Sequence, residues 1–275
     1  MTDSCPIQEP AAATTETGGA AKTEAISSNE KAEEDYHLKP FGDSLWIVDG
    51  PDVSFYGFPY PTRMVVASVK HGSWIWSPIP YTKALATAME AATGGPVQYI
   101  VSPNMIHHIF LKPWKDAYPE AVVLAPPGLQ DRKKVLPEGL VFSGTLTESP
   151  PPESYGDVLD QVVFAGGGLE EVVFFHKASK TAIFCDLIQR FPADNKCYCG
   201  GFKGWLLKLD GLVGPQGSTP REWRLLYWMK GGLPQARTAR TKVLEEWKPE
   251  KLVIAHGDCA DTNATDIIRQ ALSWM

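Results

Sequence analysis

Two stretches of this chain run through the same order of signals, and that repetition limits the folds open to it. The first opens with Ser44–Val48, an apolar strand-like run that meets the turn Asp49-Gly50-Pro51. Strands over Thr62–Lys70 and Trp74–Trp76 follow, joined by the hairpin turn His71-Gly72-Ser73. Thr82–Ala92 reads as a helix with Leu85, Ala88 and Met89 on one face, ended by Gly94-Gly95. A strand over Val97–Val101, a short helical piece over Lys115–Tyr118 and a strand over Ala121–Leu124 complete this half. The second half restarts with strands over Val158–Ala165, Glu171–His176 and Thr181–Phe184. Thr219-Pro220 then marks a helix start, predicting helices over Arg221–Lys230 and Gln235–Trp247, a strand over Leu252–Ala255 and a last helix over Ala264–Trp274. Each half opens with antiparallel, hairpin-rich strands and passes into βα units. The expected fold class is therefore α/β, an αββα sandwich of two mixed sheets face to face with helices outside.

The chain has 275 residues, 44% of them hydrophobic, which supports one sizeable core. The folded domain is expected over residues 38–275. Residues 1–37 are dominated by Ala, Thr, Glu, Gly and Ser and read as a disordered acidic tail. The formal net charge is −6, and the tail alone carries it: eight acidic side chains stand there against Lys22 and Lys31. The remainder balances at 24 acidic and 24 basic residues, so the acidity says little about a substrate. A nucleic-acid binder would show a strongly basic domain, so no nucleic-acid partner is expected. Neither a secretory signal nor an Arg-rich transit pattern is present, and no apolar run approaches the roughly 20 residues of a membrane span. A cytoplasmic protein acting on a small-molecule substrate, without a membrane partner, is the expectation, and the oligomeric state is left open. Five scattered cysteines suit a reducing compartment. Cys197-Tyr198-Cys199 can offer two thiolates to a metal, but no second pair stands at zinc-finger spacing.

Metal-competent residues gather where strands end. His107 and His108 follow Val101 in the segment SPNMIHHIF, Asp186 follows Phe184, and His256 follows Ala255. Each has an ordinary structural use: adjacent histidines point in different directions, Asp186 can cap a helix, and His256 can serve a turn before Gly257. Their shared placement at strand ends is what favours a site. Three histidines and a carboxylate suit zinc, iron or manganese. His176, in VFFHKASK, has a parity that faces a different layer; it is a candidate acid–base or supporting residue, while Lys177 and Ser179 read as turn residues. Basic residues of the late helices, Arg221, Arg224 and Lys230 among them, fit solvated faces, although Arg237 and Arg240 can instead reach an anionic substrate. The aromatic face of Trp223, Leu226, Tyr227 and Trp228 fits core packing first and a lid second.

The segments TRMVVASVKHGSWIWSPIPYTKAL, VQYIVSPNMIHHIF, EEVVFFHKASKTAIFCDLI and PEKLVIAHGD together resemble a branch of the metallo-β-lactamase-like superfamily catalogued as a domain of unknown function. The likeness spans about residues 40–275 and implies the same αββα sandwich. The parent motif is His-x-His-x-Asp-His, followed by a lone histidine, a bridging aspartate and a last histidine. Laid on Pro103–His108, it puts Pro103 and Met105 at the two leading histidines, His107 at the aspartate and His108 at the closing histidine. The lone histidine falls on Gly166, Gly167 or Gly168, the bridging aspartate on Asp186 and the last histidine on His256. The resemblance therefore implies that one metal site is lost and the other kept, with His107, His108, Asp186 and His256 holding a single zinc or iron. With four protein ligands that site is closed; if His107 points away, three ligands and a water remain.

Three functions compete at this point. The first is a single-metal hydrolase of an ester, thioester, amide or phosphoester, with His107 as fourth ligand or general base and His176 as a further catalytic candidate. The second is a non-hydrolytic enzyme in the same pocket, a single-iron oxidoreductase or a metal-free isomerase or lyase. The third is a binding protein on a disabled enzyme fold.

Overall fold

The computed structural model describes residues 36–55, 58–150, 154–194 and 201–275. Most of the expected tail and the pair Cys197 and Cys199 lie outside the described residues. Tyr36 and Leu38 are half-buried against the first sheet, so the packed chain begins slightly before residue 38.

Seven strands form the first sheet in sequence order: β1 (Lys39–Gly42), β2 (Leu45–Phe55), β3 (Phe58–Val69), β4 (Gly72–Trp76), β5 (Val97–Val101), β6 (Val122–Ala125) and β7 (Gly144–Thr145). The pairs from β1 to β4 are antiparallel and those from β4 to β7 parallel. The second sheet has the order β11-β10-β9-β8, from β8 (Leu159–Phe164), β9 (Glu171–His176), β10 (Thr181–Phe184) and β11 (Lys251–Ile254). It is antiparallel from β8 to β10 and parallel between β10 and β11. Parallel neighbours need a crossover, and the helices supply it.

α1 (Lys83–Thr93) starts where Thr82 caps the amide of Leu85 and stops at Gly94, whose φ of 81° suits a residue without a side chain. With α2 (Leu111–Ala117) it covers the outer face of the first sheet, burying Leu85, Met89, Leu111 and Trp114 on Val66, Ile75 and Ile100. After α3 (Gly201–Leu209), the helices α4 (Arg221–Met229), α5 (Leu233–Thr241) and α6 (Ala264–Ala271) follow, and α4 to α6 cover the second sheet. Strand alternation divides each sheet cleanly. In β9, Val173 and Phe175 face the helices, while Val172 and Phe174 face the other sheet beside Trp74, Trp76 and Ile183. The four layers are those of an αββα sandwich.

Several expected boundaries differ. The helix expected over Lys115–Tyr118 is Leu111–Ala117, the strand expected from Thr62 starts at Phe58, and the last helix ends at Ala271. Two further differences have a visible cause. The turn expected at Asp49-Gly50-Pro51 lies inside β2 as a shift of register between Asp49 and Asp52, because β3 offers a pairing partner along that whole length. The helix expected through Trp247 leaves α-geometry at Lys242 and ends as a π-helix over Lys242–Trp247. There the Lys242 ammonium and the Trp247 indole N–H both reach Asp160. α3 was not anticipated.

Candidate metal centre

Three strands bring the centre together at their carboxyl ends. β10 delivers Asp186, buried behind Ile183 and Cys185. β11 delivers His256 and β5, with its following loop, His107. His107 Nε2 stands 3.3 Å from Asp186 Oδ2, and His256 Nε2 stands 3.1 Å from Oδ1. The two imidazole centroids are 5.2 Å apart. Cys185, with His107 and Asp186, forms a group whose donor atoms lie within 4.8 Å of one another.

Burial alone pushes the Asp186 carboxyl upward, but His107 and His256 outweigh that and hold it well below the usual carboxylate range. Asp186 is therefore an anion at neutral pH. Asn104 Nδ2 donates to Oδ2 at 2.6 Å and Gln189 Nε2 to Oδ1 at 3.4 Å. Asn104 also orders the loop that carries His107, because its Oδ1 accepts the amides of Ile106 and His107.

The hydrogen bonds of His256 fix its tautomer. Its Nδ1 lies 2.7 Å from the Pro61 carbonyl oxygen, which can only accept, so Nδ1 carries a hydrogen. In a neutral ring Nε2 is then a lone pair, 3.1 Å from a carboxylate oxygen. Two acceptors at that distance need a cation between them, either a second ring proton or a metal. A ring nitrogen pinned by N–H donation to a carbonyl, with its other nitrogen free, is the usual arrangement of a metal-binding histidine. The His107 ring is oriented by Ser77, whose Oγ lies 2.8 Å from Nδ1 and can donate or accept.

Two ionisable residues hold these loops, the buried Glu171 and the half-buried Arg63. Glu171, fully buried at the start of β9, accepts the amides of Cys185, Asp186 and Leu187 at 2.8, 2.7 and 3.0 Å. Burial, reinforced by the Asp186 charge, pushes Glu171 up to about 8 against the pull of those three amides. Arg63 crosses from β3 to donate Nη1 to the carbonyls of Ile254 and Gly257, flanking His256. Gly257, at φ 105°, lets the loop pass close over the Arg190 carbonyl, where a Cβ would collide. The signal for Glu171 was a lone acid opening an otherwise apolar strand; Arg63 carried none.

Among the expected site residues, His107, Asp186 and His256 come together. His108 does not join them. Its Nε2 lies 3.2 Å from the Val135 carbonyl, and its buried Nδ1 has no hydrogen-bond partner among the described residues. Consecutive side chains of the loop diverge, so the ring turned toward Asp186 is that of His107, the reverse of the expectation in which His107 turns away. Burial, partly countered by the Val135 carbonyl, pulls His108 below the usual histidine range. His176, the other catalytic candidate, closes the far end of β9. It is five residues from Glu171, about 17 Å at the rise of a strand, and binds Ser179 Oγ through Nδ1 at 2.7 Å.

The positions of the missing ligands have other uses. Met105 packs with Ala125 and Leu129, and the Pro103 carbonyl accepts the Val172 amide. A side chain on Gly167 would meet the Tyr227 ring at 2.9 Å, and one on Gly166 would strike the Gly232 backbone. The space of a mid-chain histidine is filled.

This four-layer sandwich, with its polar cluster at the strand ends, is the metallo-β-lactamase fold. A metallo-β-lactamase from Pontibacter korlensis superposes with a TM-score of 0.56 at 14% identity, covering 87% of this chain and 98% of its own. A metallo-β-lactamase from Hirschia baltica gives 0.52 at 10%, covering 87% and 97%. The metallo-β-lactamase FIM-1 from Pseudomonas aeruginosa, in its mono-zinc form, gives 0.54 at 10%, covering 86% and 94%. At such identities the likeness concerns the fold. Residues 43–197 match the family described as domain of unknown function DUF4336, and the chain belongs to that family. No curated protein matches the sequence.

The donor set fits a single divalent metal. His107, Asp186 and Cys185 offer a nitrogen, a carboxylate oxygen and a sulfur within 4.8 Å of one another, a mixture that zinc and iron accept, while His256 stands outside that group, 3.1 Å from the other carboxylate oxygen. Burial pushes the Cys185 thiol well above its ordinary range, so a metal bound there would have to displace its proton.

Proposed function

We propose that this protein is a single-metal hydrolase of a small-molecule ester, thioester, amide or phosphoester, with His107, Asp186 and His256 as the metal ligands. The observation that carries this is the His256 ring, whose Nδ1 hydrogen is committed to Pro61 while Nε2 faces the ionised Asp186. The charged groups paired with Asp186 are imidazoles only, so the cation that this buried carboxylate needs is either a ring proton or a metal. Three protein ligands leave a position open.

A bound zinc or iron supplies Lewis acidity and brings the pKa of its water towards about 7. The chain's own groups do the rest. Asn104 and Gln189 fix the plane of the Asp186 carboxylate through both oxygens. Pro61 fixes the tautomer of His256, and Ser77 orients the His107 ring. Tyr60 packs its ring on His256 at 5.1 Å, and Phe191 packs on Tyr60 at 6.1 Å, forming an apolar wall that excludes water from one side of the centre.

One observation favours a second reading. All four polar contacts of Asp186 are at or near hydrogen-bond distance, which also suits a protonated His256 and metal-free acid–base chemistry. Metal analysis of natively purified protein separates the two. The hydrolase reading requires about one metal per chain in the wild type and none in Asp186→Ala; a metal-free wild type ends it. We also place the protein in the cytoplasm. Its two described cysteines, Cys185 and Cys259, are free, and no helix among the described residues is long and apolar enough to cross a membrane.

A further inference from the structure

Seven large hydrophobic residues are exposed among the described residues, and five belong to α3 and α4: Trp205, Leu209, Leu225, Trp228 and Met229. A surface helix of a globular protein normally keeps its outer face polar. α4 does not. Trp223 and Tyr227 are buried in the core, while Leu225, Trp228 and Met229 on the other face are 53%, 69% and 66% exposed.

These side chains make an apolar stripe along each helix. Trp205 and Leu209 are four apart on α3, and Leu225 lies three and four residues before Trp228 and Met229 on α4, so each set shares a face. The two sets meet at Arg221, one turn before Leu225, which bonds the Leu209 carbonyl and pairs with Asp210 at 3.1 Å. The same region is basic. Beside α3 and α4 the exposed cations are Lys208, Arg221 and Lys230 and the exposed acid is Glu222, while the half-buried Asp210 pairs with Arg221.

We propose that the α3–α4 stripe is a docking surface for an anionic lipid bilayer. Exposed Trp, Leu and Met interleaved with Lys and Arg is the composition of helices that lie in a membrane interface. A second copy of the chain is opposed by charge, since a two-fold contact sets the basic face against itself. The acidic N-terminal segment offers carboxylates, but Met1, Ile7 and Ile26 are its only large apolar residues, too few to cover the stripe. Nucleic acid would satisfy the cations and leave the aliphatic groups wet. On its inner side α3 packs Leu207 against Phe191 and Tyr60, and Tyr60 rests on His256. Docking therefore brings the candidate centre to the lipid surface, although the proposal stands without any metal there.

Flotation of the full chain with vesicles tests this, comparing phosphatidylcholine alone with a mixture containing phosphatidylglycerol. The expected result is binding to the anionic vesicles only, weakened by high salt, and reduced about ten-fold or more by Trp228→Ser with Met229→Ser. Both residues are exposed, so the variant should keep the wild-type melting temperature, which is measured alongside. Absence of vesicle binding, equal binding by the variant, or sedimentation showing a dimer that the variant dissociates would each overturn the proposal.

Discussion

His107 and His108 show how little separates a candidate ligand from a packing residue. They are adjacent, yet one ring meets Asp186 and the other is turned to the Val135 carbonyl. His107→Ala or His256→Ala should abolish metal uptake, whereas His108→Ala should retain it. His108→Ala should cost about 1 kcal/mol or less, because it removes a ring whose buried Nδ1 has no hydrogen-bond partner among the described residues. Metal content by mass spectrometry and chemical unfolding check both halves. His176 has a different consequence. Burial pulls it down to about 4, so the folded state resists protonating it while the unfolded chain takes a proton near pH 6.5. Its contribution to stability is complete above pH 6.5 and is lost as pH falls towards 4. The stability advantage of wild type over His176→Asn should therefore narrow by ~2–3 kcal/mol across that window, and a constant difference would show that His176 does not titrate there.

At the scale of elements, the centre depends on how loops leave strands. Glu171 begins β9 and yet fixes the loop after β10, by taking three consecutive amides that no strand partner satisfies. Glu171→Gln keeps the shape but sets an NH2 group against one of those amides. It should cost about 1–3 kcal/mol by unfolding and weaken metal binding about 10–100-fold, as loss of a supporting contact commonly does. Unchanged metal affinity would mean that Asp186 is held by Asn104 and Gln189 alone. Elements were also the level at which sequence signals served best. β5, β9 and β10 lie where the apolar runs lie, and α1 begins at Thr82 and ends at Gly94 as its caps indicate. The signals misled at Asp49-Gly50-Pro51, where a turn dipeptide was absorbed as a bulge, and at Lys242, where contacts with Asp160 accompany a π-turn.

For the whole molecule, a metal that joins β5, β10 and β11 ties the two sheets together, since His107 comes from the first sheet and Asp186 and His256 from the second. Chelation should then lower global stability and not merely activity. At a free metal concentration a hundred times Kd the linked stabilisation is about 2.7 kcal/mol, so thermal unfolding with and without chelator should differ by several degrees. Identical curves would place the metal outside the folded cluster. The sequence by itself determined the layers, because strand alternation and helix periodicity are local properties set by which residues seek the core. It also shows that Pro103, Met105 and Gly166–Gly168 put no histidine at the positions that the resemblance would give to further ligands. Only the tertiary structure decided which histidine faces Asp186, that Glu171 and Arg63 hold the loops, and that α4 is apolar on an exposed face. Each depends on side-chain direction or on contacts between residues distant along the chain, and periodicity carries neither.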